Sequence, residues 1–297
     1  MSFKQSQKLL DRYRITDGEK FRLKDHDPGD AAADLVDHRD SEALLQQGVQ
    51  RLSDLQALLY AQQSWSLLSV FQAMDAAGKD GTIKHVMTGV NPQGVEVTSF
   101  KVPGPEALEH DFLWRVTLRL PRRGSIGIFN RSHYEEVLVA RVHPDILERQ
   151  RLPESLVTQK IWDHRLQDIA AFERHLARQG TIILKFFLNV SRQEQKRRFI
   201  ERLDQPEKNW KFSGADVAER ERWDDYMTAY EAAIAATASE HAPWFVVPAD
   251  HKWFTRLVVV EAMVEALDAL NLKPPVLSPA EQERLKEAKL QLDAEKE

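Results

Sequence analysis

Leu67-Leu68-Ser69-Val70-Phe71 runs directly into Gln72-Ala73-Met74-Asp75-Ala76-Ala77-Gly78-Lys79-Asp80-Gly81-Thr82. The first five residues have the length and apolarity of a buried strand. The stretch after them is small residues, then Gly-Lys, then a helical pattern over 79–90. Small side chains let backbone N–H groups approach phosphate oxygens, and a helix N-terminus adds positive potential. On this reading Ala76, Ala77, Gly78, Asp80, Gly81 and Thr82 cradle phosphate, and Lys79 reaches it as a point charge. Against the G-x-x-x-x-G-K-[ST] pattern the segment departs twice: Ala73 replaces the first Gly and Asp80 the Ser/Thr. A tight turn with a surface lysine is the plain alternative.

Asp75 is unusual in such a loop. A carboxylate facing phosphates is repelled unless a cation lies between them, so Asp75 suits a Mg²⁺ ligand. It also suits a base toward an acceptor phosphate, or a cap of the following helix.

Apolar runs and helical patterns alternate outward from this stretch. Residues 41–61 place Leu44, Leu45, Val49, Leu52, Leu55, Leu58 and Leu59 at helical steps. Strand patterns occupy Val95 to Phe100, Ser125 to Phe129, Thr181 to Val190 and Trp244 to Val247. Helices are expected over 105–120, 133–142, 158–179, 215–238 and 252–270, and Ser191 with Glu194 has the spacing of a capping box. The expected fold class is α/β: a parallel five-stranded sheet with helices on both faces. Ligands of such sheets sit at the C-terminal ends of the strands.

One such end is Phe129-Asn130-Arg131-Ser132-His133-Tyr134. Asn130 offers an amide oxygen to a metal, and Arg131 a fork for phosphate. Turn and cap chemistry would use Asn130 and Ser132 equally well.

The chain is acidic overall, with net charge -5, yet Arg192, Lys196, Arg197, Arg198 and Arg202 fall within eleven residues. Local basic clusters on an acidic chain suit a polyanion bound at a site, and argue against nucleic acid bound over a whole face. There is no cysteine, and no apolar run is long enough to span a membrane. The polar N-terminus lacks the apolar core of a signal peptide. A cytoplasmic protein without nucleic-acid or membrane partners is expected.

Asp75-Ala-Ala-Gly-Lys79, Asn130-Arg-Ser-His-Tyr134, the segment from Arg202 to Lys211, Trp223-Asp-Asp-Tyr226 and Ala242-Pro-Trp244 together resemble the polyphosphate kinase 2 family. The resemblance covers about residues 45 to 270. It implies a P-loop kinase fold with a helical lid, at about 192–222, and Mg²⁺-dependent phosphoryl transfer between inorganic polyphosphate and AMP, ADP and ATP. It makes Asp75, Lys79 and Arg131 the catalytic residues, and puts Arg197, Arg198, Arg202, Lys208 and Lys211 in a basic lid that meets polyphosphate. Asn130 stands where many members have Asp, and looks like the branch that accepts both AMP and ADP. It leaves Asp75 as the charged metal ligand.

The expected layout is an N-terminal extension over 1–40, a catalytic domain over 41–272 and a charged tail over 273–297, in a homo-oligomer. Two other readings use the same motifs. One is an ATP-dependent nucleotide kinase of the same fold; the other is a non-catalytic module that binds nucleotide or polyanion.

Overall fold

The structure is a computed structural model that describes residues 3–211 and 214–295. In chain order the elements are α1 (Phe3–Tyr13), β1 (Arg14–Ile15), α2 (Ser41–Gln62), β2 (Ser66–Gln72), α3 (Lys79–Val86), β3 (Val95–Ser99), α4 (Pro105–Leu108), α5 (Trp114–Thr117), β4 (Ile126–Asn130), α6 (Val139–Val142), α7 (Pro144–Arg149), α8 (Ile161–Arg178), β5 (Thr181–Asn189), α9 (Arg192–Asp204), α10 (Gly214–Glu221), α11 (Trp223–Thr237), β6 (Trp244–Pro248), α12 (Lys252–Asp268) and α13 (Pro279–Ala294). A 3₁₀ segment, Pro206–Lys211, joins α9 to α10.

The sheet order is β1-β6-β5-β2-β4-β3. β2 through β6 are mutually parallel, while β1 pairs antiparallel with β6. The five parallel strands are those expected. The sixth is a two-residue edge strand, too short to leave a sequence pattern. β2 lies between β5 and β4, where successive connections diverge to opposite sides, and this is the crevice in which open α/β sheets bind ligands.

Helices cover both faces, so β2, β4, β5 and β6 are nearly continuous apolar runs rather than alternating ones. All seven residues of β2 and all five of β6 are buried. Phe71, Phe186 and Phe245 stack across β2, β5 and β6, with ring centroids 4.9 Å and 5.5 Å apart. On one face α12 buries Phe254, Leu257, Val258, Val260 and Met263, and α2 packs along it. Beneath the other face Lys185 of β5, fully buried, donates to Glu173 of α8 at 2.6 Å and to the Thr237 carbonyl at 2.7 Å. Tyr134 donates to the same carboxylate at 2.8 Å, which ties the turn after β4 to the core.

Several helices differ from the expected ones. The pattern over 105–120 forms two single turns, with the Asp111 side chain accepting from Leu113 N–H between them. The 133–142 pattern opens as a 3₁₀ segment, His133–Glu136, before α6. The 215–238 pattern divides between α10 and α11, and the helix expected over 79–90 ends at Val86. The first forty residues, polar on average, bury Leu9, Leu10, Tyr13, Phe21 and Val36 against the main core. The tail forms α13, which buries nothing.

The Ser191–Glu194 capping box forms by half. Ser191 Oγ accepts from Glu194 N–H at 3.0 Å. The Glu194 carboxylate pairs with Arg197 and Arg198 instead of returning to Ser191, whose N–H donates to Asp250. Two guanidinium partners outcompete one backbone N–H for a carboxylate.

Candidate active site

The register of β2 and β4 brings the two motifs together. Phe71 pairs with Asn130, and Arg131 N–H donates to the Phe71 carbonyl at 3.0 Å. Both chains then turn sharply: Ala76, Gly78 and Arg131 have φ of 61°, 107° and 62°. Non-glycine residues adopt this left-handed region at a cost, commonly where a site requires it.

The Arg131 guanidinium bridges two carboxylates. It donates to Asp75 Oδ1 at 2.9 Å and to Glu135 Oε2 at 3.1 Å. Those carboxylates raise the Arg131 pKa further, Glu135 contributing most. Burial raises the Glu135 pKa, with Arg131 and Lys79 opposing. The Gln72 amide, turned so that both its atoms are satisfied, donates to Glu135 Oε1 at 2.9 Å. Glu135 is absent from the expected site residues. Sequence spacing does not reveal it, because the pairing depends on the left-handed Arg131 and the extended Ser132 that precede the 3₁₀ segment at His133.

Lys79 Nζ donates to the Ala73 carbonyl at 2.8 Å, folding back across its own loop. Desolvation there, with the Arg131 charge second, pushes its pKa down to about 8. Asn130 donates its side-chain amide to Asp80 Oδ1 at 2.6 Å. Asp80 adds a second carboxylate to the cleft that Asp75 lines.

Three cavities meet here. The central cleft, about 1010 Å³, is lined by Asp75, Lys79, Asp80, Asn130 and Arg131, with Arg202 and Asp216 at its far wall. A pocket of about 300 Å³ shares Phe100, Val102 and Arg131 with the cleft, and continues over Pro103, Leu108, Val139 and Ile146. On the other side a pocket of about 210 Å³ shares Ala76, Gly78, Gly81 and Arg202 with the cleft, and adds Thr82, Arg198, Glu201, Lys252 and Arg256. Lys252 and Arg256 lie on the first two turns of α12, directly after β6. Desolvation lowers the pKa of both, helped at Lys252 by the Arg198 charge. They too are absent from the expected site. Their position just after β6 is where ligands of such sheets gather, and two cations four residues apart are a weaker sequence signal than the five basic residues within 192–202.

The basic cluster itself divides. Arg202 reaches the cleft. Arg197 pairs with Glu194 and Glu201 on an exposed face. Arg198 is 4% exposed and lies beneath the phosphate loop, bound to backbone carbonyls. It is not a cation on an open lid, because protein oxygens take its guanidinium donors. The side chains of Lys208 and Lys211 lie outside the described residues.

Among the described residues no group of three or more His, Asp and Glu gathers to hold a metal ion. Asp75 and Asp80 each use Oδ1 in a bond to the Arg131 turn, and among the described residues neither Oδ2 has a hydrogen-bond or ion-pair partner. Magnesium takes one or two protein carboxylates and fills its remaining positions with water and phosphate. This donor set fits an ion shared with a phosphorylated substrate. No helix is long and apolar enough to cross a membrane.

Residues 35–275 match the family model described as polyphosphate kinase 2. The chain is 49% identical over 283 residues to an ADP-polyphosphate phosphotransferase of Rhodopseudomonas palustris, an alignment covering 95% of this chain and 97% of that one. It is 47% identical to an AMP/ADP-polyphosphate phosphotransferase of Meiothermus ruber, over 90% of this chain and 96% of its relative. The crystal structure of polyphosphate kinase 2 from Arthrobacter aurescens superimposes with a TM-score of 0.83 at 41% identity, covering 92% of this chain and 95% of that one. The match to the family model over most of the chain, with relatives at 47–49% identity along nearly their whole length, shows the family: this chain belongs to the polyphosphate kinase 2 family.

Proposed function

We propose that this chain transfers the terminal phosphoryl group of inorganic polyphosphate to AMP and to ADP, forming ADP and ATP. The row of three cavities carries the reading. An apolar pocket on one side suits the nucleoside of an acceptor. A pocket on the other side has Arg198, Arg202, Lys252 and Arg256 beside the single acid Glu201, and no aromatic ring among the described residues, which suits a donor with charge and no base. The phosphate loop and Arg131 stand between them. A dedicated ATP-dependent kinase needs a surface on which the donor's base can stack, and among the described residues the cationic pocket offers none.

In this reading an oxygen of the acceptor phosphate bonds to the terminal phosphorus as the bridging P–O bond breaks. The chain shortened by one unit departs. The protein's work is alignment and charge stabilisation. Backbone N–H groups of the loop and Lys79 hold the donor phosphates. Arg131, braced by Asp75 and Glu135, lies over the transferring group. Asp75 and Asp80 would hold magnesium, which supplies neutralisation of the charge that develops on the phosphate oxygens. The segment 192–222 acts as a lid that excludes water.

The relatives' names divide on the acceptor: one names ADP, the other AMP and ADP. The neutral Asn130 favours the dual acceptor, since it adds no charge of its own beside the extra phosphate of ADP. A donor swap tests the reading. Polyphosphate should support ADP formation from AMP with no ATP present. Activity only with ATP as donor would assign the chain to the ordinary nucleotide kinases instead.

A further inference from the structure

Arg198 is bound through every N–H it has. Its Nε donates to Glu194 at 2.7 Å. Its Nη1 donates to the carbonyls of Ala76 and Ala77, at 3.0 and 2.8 Å, and its Nη2 to those of Ala249 and Asp250, at 2.6 and 3.1 Å. A guanidinium has five N–H donors in a fixed plane, and here each has an acceptor. Three separate segments meet on it: the phosphate loop, the first turns of α9, and the connection from β6 to α12.

We infer that Arg198, although one edge of it borders the cationic pocket, is a positioning residue that sets the shape of the phosphate loop for transfer through its carbonyl bonds rather than by donating to the phosphates. Peptide units are planar, and none here is cis. In a trans peptide a carbonyl aimed at Arg198 turns the next N–H the opposite way. Holding the Ala76 and Ala77 carbonyls beneath the loop therefore turns the N–H groups of Ala77 and Gly78 upward. Ala77 N–H closes the turn on the Met74 carbonyl at 3.3 Å. Gly78 N–H has no acceptor among the described residues, and is left for a ligand. The left-handed Ala76, φ 61°, is a conformation that alanine holds only under constraint, and two bonds from Arg198 apply it. Since Arg198 belongs to α9, the loop's shape is also joined to the segment proposed as the lid.

This inference rests on the phosphoryl-transfer reading for its kinetic consequence, though not for its structural one. The test compares wild type with Arg198→Ala and Arg198→Lys. Amide hydrogen exchange is followed in a peptide spanning 73–82 without substrate, and kinetics are followed with polyphosphate. Exchange in the loop peptide should quicken at least about tenfold in both variants. The kcat of Arg198→Ala should fall about 10²-fold, as misplacement by about an ångström does. The polyphosphate KM and its salt dependence should stay within about twofold of wild type, because every N–H of Arg198 is already taken by a protein oxygen and Arg202, Lys252 and Arg256 remain in the pocket. Guanidinium ion added to Arg198→Ala should restore part of kcat. Arg198→Lys keeps the charge but cannot span four carbonyls, and should remain slow. If Arg198→Ala does not fold, Arg198→Lys decides the matter alone. Unchanged loop exchange, wild-type kcat in Arg198→Lys, or a loss confined to polyphosphate KM with a flattened salt response would each overturn the inference. A wild type inactive with polyphosphate would refute the functional reading instead, and the exchange measurement would still judge the clamp.

Discussion

Asn130 and Asp80 lie 2.6 Å apart, amide nitrogen to carboxylate oxygen, across the cleft between the two motif loops. An amide there fixes the carboxylate without adding charge. Asn130→Asp would place two carboxylates in contact, and one must take a proton, move, or bind a cation. The ratio of AMP to ADP activity should shift by about tenfold, equivalent to about 1.4 kcal/mol, with a smaller change in total rate. Chromatography of the nucleotides reads both. An unchanged ratio would remove Asn130 from acceptor choice.

Lys79→Ala and Asp75→Asn should each lower turnover by about 10² to 10³ while leaving the fold intact. Neither side chain contributes to the apolar core. Both variants should match wild type in thermal unfolding; rates within tenfold of wild type in excess Mg²⁺ would contradict their assignment.

The depressed Lys79 pKa has a pH signature. A lysine lowered to about 8 is cationic below that pH and neutral above it. The kcat/KM for polyphosphate should therefore decline as pH rises through about 8. Lys79→Arg keeps its charge throughout this range, so its lower activity should be flat from about pH 7.5 to 9. The same alkaline limb in both proteins would show that another group titrates.

Lys252 and Arg256 should serve the donor. The Lys252→Ala, Arg256→Ala double variant is expected to raise the polyphosphate KM by about tenfold and to flatten its salt dependence, since two screened cations are lost. The KM for AMP should not move. Equal effects on both substrates would mean that the pair supports the fold rather than the donor chain.

Much of this was legible in the residues. Four of the five parallel strands announce themselves because burial on both faces demands nearly continuous apolar runs, and Thr181 to Asn189, interrupted by Lys185, is one; β3 shows instead as an alternating pattern. The phosphate loop and the Arg131 turn are local, so short motifs capture them. What the sequence hides is long-range. Arg198 looks like any member of a basic helix, and its burial depends on carbonyls about 50 and 120 residues away. Lys252 and Arg256 join the site only because β6 ends beside β5. Leu9 and Leu10 are core residues in a stretch whose average is polar.

The buried Lys185–Glu173 pair yields a prediction about stability. Lys185→Met leaves the Glu173 carboxylate in the core with the Tyr134 hydroxyl but without its cation, which should cost about 3–5 kcal/mol. The Lys185→Met, Glu173→Leu double variant should recover part of that loss. Urea unfolding measures both; a single variant within about 1 kcal/mol of wild type would mean that water reaches the pair.

The most direct test of polyphosphate-driven transfer is a ³¹P NMR time course of the purified protein with polyphosphate, Mg²⁺ and AMP, and no ATP at the start. The account predicts shortening of the polyphosphate signal as ADP resonances appear, followed by those of ATP. A polyphosphate signal that stays constant, with neither AMP nor added ADP phosphorylated, would contradict it.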